Sequence, residues 1–272
     1  MPSTYAHYRM GKEVCKNLRF DERRIIEAWP ELYLIGLHGP DILFYYGALG
    51  SNPVNAVGYG LHGKSGRSFF EMACGKIRES NNREAALSYI YGVLNHFALD
   101  VSCHGYVDEK IAASGISHTE IEVEFDRSLM LADGYDPVTH VLTDHIKPSM
   151  ENAKIIAPFY PGVIEKQVYK ALRSMIFQNK MLLAKTDRKR NFVYAILKAT
   201  GNYEEMHGLI VNPAGNPACE DSNQKLLELY ETAKKRAEAF IGDFNGYLTG
   251  EKPFDPIFAY DFGGKKRESE AA

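Results

Sequence analysis

Three polar side chains recur at four-residue intervals in the segment HFALDVSCH: His96, Asp100 and His104. On a helix each four-residue step turns by about 400°, so successive members drift by only about 40° and stay on one stripe, about 6 Å apart along the axis. Their neighbours Leu94, Phe97, Ala98, Leu99 and Val101 are apolar. An ionised carboxylate among such neighbours is costly unless it is paired or bound to a metal. A lone HxxxD is satisfied by one buried His–Asp hydrogen bond. The third member at the same interval shifts the balance toward a row of metal ligands.

A second pair repeats the spacing. His118 and Glu122, in HTEIE, begin after a gap of only 13 residues from His104, enough for a turn and an antiparallel return. The plain alternative is a solvated helix start, where the dipole favours Glu. Together the two segments offer five nitrogen and oxygen donors and no cysteine, a set suited to hydrolytic zinc. Three further candidates stand apart: His7 in STYAHYR, Asp41 in LHGPDILFYY and His62 in YGLHGKSG. Gly39-Pro40 predicts a turn that enters a helix at Asp41, and glycines flank His62 in a predicted loop. Taken alone, each is more often a structural residue than a ligand. His38, in the same turn as Asp41, is a fourth candidate. His140, His145 and His207 have no partner spacing and read as surface or core residues.

Helical periodicity must position these groups. It predicts helices over 21–33 with a break at Pro30, over 66–79, over the almost wholly apolar 83–104, and over 117–132. Ser117 with Glu120 three residues on reads as a capping box. Further helices are expected at 137–149, 162–186, 188–200 and 222–248. Apolar/polar alternation is short and scarce, so sheet is not expected to organise the fold. The expectation is an all-α, single domain over 1–262, followed by a flexible polar tail at 263–272, GGKKRESEAA.

Composition agrees with a globular protein and narrows the partners. Of 272 residues, 32 are basic and 35 acidic, for a net charge of -3. That excludes a generally basic, nucleic-acid-coating surface but leaves a local patch such as KTDRKR (185–190) open. Cys15, Cys74, Cys103 and Cys219 form no CxxC pair and no disulfide framework. No apolar run is long enough to cross a bilayer. The N-terminal residues lack the apolar core of a signal peptide, so the cytoplasm is the expected location, or secretion if a leader was removed. Oligomeric state has no signature here.

The assembled residues resemble the zinc-dependent phospholipase C family, whose fold is shared with fungal single-strand nucleases. The likeness lies in their order: an early histidine (His7), a GPD-type aspartate (Asp41), an isolated loop histidine (His62), HxxxD (His96–Asp100), a following histidine (His104) and HxxxE (His118–Glu122). It covers roughly residues 1–130. The resemblance implies a helical fold with two or three zinc ions. One would take Asp41, His62, His96 and Asp100; a second His104, His118 and Glu122; a third His7, with Asp100 bridging and an N-terminal amine. Secreted relatives use a tryptophan amine there. This chain begins Met-Pro and has its sole tryptophan at Trp29, so Met1 or Pro2 would substitute. His104 also follows Asp100 more closely than in the secreted enzymes, which keeps it on the same helix.

The expected chemistry is hydrolysis of a phosphate ester, more specifically a phosphodiester, by water whose pKa zinc lowers to about 7. Asp41 is the candidate to orient or deprotonate that water. A phospholipid headgroup is one candidate substrate, with Phe44, Tyr45, Tyr46 and Phe69 as candidate aromatic lining. A nuclease would need bases stacked on aromatics and basic residues nearby. A nucleotide phosphohydrolase of the HD type needs an adjacent His-Asp pair, which the chain lacks. A non-catalytic protein with closed structural zinc is the alternative outside enzymes.

Overall fold

A computed structural model describes residues 4–48 and 50–267, apart from the Glu205 side chain. Its helices run in the order α1 (Thr4–Asn17), α2 (Phe20–Ala28), α3 (Pro30–Gly36), α4 (Pro53–Leu61), α5 (Gly66–Glu79), α6 (Arg83–Ser114), α7 (His118–Ala132), α8 (Met150–Ile156), α9 (Glu165–Leu182), α10 (Asp187–Ala199), α11 (Tyr203–Met206) and α12 (Glu220–Thr249). Short 3-10 turns join them, including Gly39–Tyr45 and Pro256–Ala259. Among the described residues there is no strand, only two isolated bridges. The fold is all-α, as expected. No described helix is long and apolar enough to cross a membrane.

The organising element is α6. Asn82 caps it by accepting from the Ala85 amide, and Gly115 ends it in the left-handed conformation. It continues ten residues past the predicted end at His104, because nothing between Gly105 and Ser114 breaks a helix. Residues 88–100 of α6 are all buried, since α3 and α12 cover it and α1, α2, α5, α7 and α8 also touch it. Two glycines permit the closest approach. A Cβ on Gly36 would stand 2.2 Å from the Tyr89 carbonyl oxygen, and one on Gly92 would stand 2.3 Å from that of Tyr33. The axes of α3 and α6 therefore meet backbone to backbone.

Several local expectations are corrected. Residues 137–149 form turns rather than a helix. The Asp136 carboxylate accepts from the Val138 amide and the Thr139 hydroxyl, a side-chain turn that competes with helix, and Pro148 disfavours helical geometry before it. The helix starts only at Met150, where Ser149 accepts from the Asn152 amide. Helices α1 and α4 escaped the periodicity reading, although Asn52-Pro53 carried a start signal for α4. Ser117 does cap α7, but the Glu120 carboxylate accepts from Asn216 rather than closing a capping box. The tail expected to be flexible from residue 263 is instead folded back through 267: the Arg267 amide bonds the Ala259 carbonyl, and the Lys265 amide and Arg267 guanidinium bond Asp261. Residues 268–272 lie outside the described residues. In the basic run, Lys189 donates to the carbonyls of Lys180 and Leu183 that end α9, and Arg190 donates to that of Val211.

Candidate metal centre

Each candidate ligand arrives on a different support. His96, Asp100 and His104 project from α6, and His118 and Glu122 from the first turns of α7. His7 sits in the second turn of α1. That helix is anchored from a distance: the Asp126 carboxylate, on α7, accepts from the Tyr5 and Ala6 amides at 2.8 and 2.7 Å. A carboxylate there also answers the positive end of the helix dipole. Asp41 lies in the 3-10 turn, one residue after Pro40. Gly39, at φ +47°, makes that turn possible, since a Cβ there would fall 2.4 Å from the His96 ring. His62 caps the C-terminus of α4.

The structure brings all eight together as three contiguous groups: His7, His96 and Asp100; Asp41, His62 and His96; and His104, His118 and Glu122. The closest approaches are His96 Nε2 to Asp100 Oδ2 at 3.0 Å, His62 Nε2 to Asp41 Oδ1 at 3.1 Å, and His7 Nε2 to Asp100 Oδ1 at 3.3 Å. In the last group His118 Nε2 and His104 Nε2 stand 2.9 and 3.3 Å from Glu122 Oε1. Asp100 lies between the groups, with Oδ1 4.0 Å from His104 Nε2.

These distances fit a bound cation. Donors about 2.0 Å from one tetrahedral zinc stand about 3.3 Å apart. Among protein groups alone the cluster is poorly satisfied. Asp41 Oδ1, Asp100 Oδ2, Glu122 Oε2 and both ring nitrogens of His96 are buried without a hydrogen-bond partner, and each such group costs about 1–3 kcal/mol or more if charged. Nitrogen and carboxylate oxygen donors with no thiolate suit zinc in hydrolytic sites. Two imidazoles are held in the right tautomer. His62 Nδ1 faces the Gly58 carbonyl at 3.0 Å and His104 Nδ1 faces that of Phe262 at 2.7 Å. A carbonyl only accepts, so each Nδ1 carries a proton and Nε2 is the nitrogen that faces the cluster, free to bind a metal once its own proton is displaced.

The electrostatics are those of a coupled carboxylate–imidazole lattice. Burial would raise Asp100, but His96 and His104 hold it well below the ordinary carboxylate range. Burial is likewise overcome at Asp41 by His96 and His62, and at Glu122 by His118 and His104. The converse holds for His104, which burial would lower but Asp100 and Glu122 push up to about 10. His7 goes the other way, lowered by burial and by the ring of His96 stacked 4.3 Å away.

A cleft of about 300 Å3 opens over Asp41, His62, His104, His118 and Glu122. Its walls include residues that sequence reasoning missed. Tyr59 stacks on Phe44 at 4.2 Å. Asp261, Gly263, Lys265 and Arg267 come from the C-terminal segment. Asp261 is fully buried and holds that segment as a strap, which sets the Phe262 carbonyl on His104 and the Phe262 ring against Phe97 and the two cluster imidazoles His62 and His96. No local signal marks Phe262 as part of the site, because its partner His104 lies 158 positions away. Of the expected aromatics, Phe44 lines the cleft. Tyr45 and Phe69 are core residues, and Tyr46 meets Lys170. His38, a fourth candidate by its place in the turn of Asp41, is in none of the three groups; its Nε2 stands 2.7 Å from that of His145, a residue read as surface or core.

Among known protein families, the one described as zinc dependent phospholipase C matches residues 6–178. No curated protein and no solved structure matches the chain. The match takes in all eight clustered residues and more than half of the chain, which therefore belongs to the zinc-dependent phospholipase C family.

Proposed function

We propose that the chain is a phospholipase C-like phosphoesterase that hydrolyses a phosphodiester with zinc-activated water. The observation that carries this reading is the cleft over the cluster. A structural zinc is closed off by four protein donors, whereas a hydrolytic one keeps a position for water and substrate. In this reading Asp41, His62, His96 and Asp100 hold one ion, and His104, His118 and Glu122 a second. His7 and Asp100 would hold a third with an N-terminal amine, though Met1 and Pro2 lie outside the described residues. Bound zinc supplies an acidified water and charge for the phosphoryl oxygens.

The chain's own groups do the rest. Asp41 lines the cleft and orients or deprotonates the attacking water. Asp100, in contact with His7 and His96 and near His104, sets the spacing of the ion sites. Lys265 and Arg267, at the cleft wall, draw in the anionic ester. Helices carry most of these groups, which keeps their mutual placement rigid.

Metal analysis of protein purified without chelator, paired with hydrolysis of a chromogenic phosphodiester, tests the proposal. Activity should disappear on chelation and return with zinc. Asp41→Asn should lose about 10²-fold or more in rate per bound zinc, the rate being normalised to metal content because Asp41 is itself a proposed ligand. Zinc well below one equivalent, with no gain on adding zinc, would sink the reading.

A further inference from the structure

The charge of the chain is unevenly spread. Residues 170–200, from the middle of α9 to the end of α10, hold eight basic residues and one acidic, Asp187. That is a local balance of +7 in a chain whose net charge is -3, so the rest of the molecule carries -10. Part of this charge serves the fold, through the bonds that Lys189 and Arg190 donate to backbone carbonyls. The single acid is already engaged, with Arg190 3.5 Å away. Lys180, Lys185 and Arg188 stay exposed.

The same segment leaves large apolar side chains in water. Phe177 is 65% exposed and Phe192 61%, and Met181 and Ile196 are exposed four residues after each, on the same stripe of its helix. Ala195 and Ala199 are exposed too. Phe192, Ala195, Ile196 and Ala199 therefore repeat the spacing of an amphipathic helix's apolar face. They are not the positions through which α10 packs. Those are Val193 and Leu197, in a small cluster with Ala184 and Ile210 apart from the main core. The exposed stripe has no cover in the fold, and Arg188 stands on it one turn before Phe192.

Charge and stripe together select the occupant. A symmetric contact with a second copy would set two +7 segments against each other. A nucleic acid suits the charge, but Met181, Ile196 and the two alanines offer no ring for a base to stack on. An anionic bilayer suits both. The apolar face of a surface-lying helix enters the boundary between headgroups and acyl chains, while lysine and arginine stems reach up to the anionic headgroups.

We propose that the exposed face of the α9–α10 segment is a docking surface for an anionic lipid bilayer. Helix α10 lies in the plane of the interface with Phe192 and Ile196 inserted, and Lys185 and Arg188 sit at the level of the headgroups. None of these residues belongs to the metal cluster, so docking and hydrolysis stand or fail separately.

The zinc-loaded full-length protein is sedimented with vesicles of about 30% phosphatidylglycerol in phosphatidylcholine, and with vesicles of phosphatidylcholine alone. Soluble phosphorus reports whether the lipid stays intact. Binding should require the anionic lipid and weaken as salt rises. Lys185→Gln and Arg188→Gln should each lower the partition coefficient about fivefold, the equivalent of about 1 kcal/mol per basic residue. Lys225→Gln, on α12, should change it little. Phe192→Ser combined with Ile196→Ser should lower it about tenfold or more. Both side chains are exposed, so helix content by circular dichroism should hold. Phe192→Trp in a Trp29→Phe background reports insertion directly, since its emission should shift to the blue and be quenched by brominated lipid. No binding to anionic vesicles overturns the proposal, as does binding that survives the serine pair and the charge removals. Binding with the tryptophan unquenched overturns it too. So does a dimer that the serine pair dissolves, or tighter binding to a single-stranded oligonucleotide than to the vesicles.

Discussion

Removing the carboxylate that anchors the C-terminal strap should loosen a metal site that Asp261 does not itself touch. Asp261 is fully buried. It accepts from the Lys265 amide at 2.8 Å and from Arg267 Nε at 2.6 Å. A hydrogen bond to a charged group contributes about 1.5–3 kcal/mol. The pair with Arg267, whose side chain is 43% exposed, adds about 0–1 kcal/mol after screening. Asp261→Ala should therefore cost about 2–4 kcal/mol. At about 2–4 °C per kcal/mol for chains of similar size, the fall in Tm is about 4–15 °C. The functional effect runs through Phe262, whose carbonyl fixes the His104 tautomer. Loss of such outer support typically costs 10–100-fold in metal affinity, or about 1.4–2.8 kcal/mol. Thermal unfolding with and without chelator, and zinc competition against a chromophoric chelator, measure the two effects. Arg267→Ala is the control. It keeps the Asp261 carboxylate and its bond from the Lys265 amide but removes the charged partner of Oδ2, so it should cost about 1–3 kcal/mol and lower zinc affinity less than Asp261→Ala does. Unchanged zinc affinity and a Tm within about 1 °C in Asp261→Ala would refute the assignment of the strap as a support for His104.

Three more outcomes follow from particular contacts. Gly39→Ala places a Cβ 2.4 Å from the His96 ring at a backbone φ of +47°; the left-handed conformation alone costs about 1–2 kcal/mol, so zinc content should drop with only modest loss of helix by circular dichroism. Asp126→Ala removes both acceptors from the start of α1 and should cost about 3 kcal/mol or more, read as a lower denaturation midpoint. Zinc affinity should rise with pH, with proton release seen in calorimetry as buffer-dependent heat, because zinc competes with protons on His62, His96 and His104, all raised by the cluster carboxylates against burial. The same shifts set the stability of chelated protein. The raised His104 contributes fully below its unfolded value near 6.5 and loses that contribution as pH rises through about 10. The depressed Asp100 contributes above about 3.8 and loses its contribution as pH falls through its lower folded value. Chelated protein should therefore melt highest between about pH 4 and 6.5 and lose that advantage in His104→Asn.

The sequence by itself determined the placements that helical repeat controls. His96, Asp100 and His104 had to share one stripe of α6, and His118 and Glu122 one stripe of α7, because a four-residue step nearly completes a turn. Ser117 marked the start of α7, and Pro30 marked the boundary between α2 and α3. The order of HxxxD and HxxxE then pointed to the family. Tertiary structure decided what no short window encodes. His7 reaches Asp100 only because Asp126 anchors α1. Asp41 approaches His96 only because Gly39 leaves room for the ring. The strap is the clearest case: Phe262 meets His104 across 158 positions, in a segment whose Gly, Lys and Arg content reads locally as tail. Packing against α6 supplied the partners that turned it into a wall of the cleft, and the gap left between α7, α9 and the 137–142 turns became a cavity beside it.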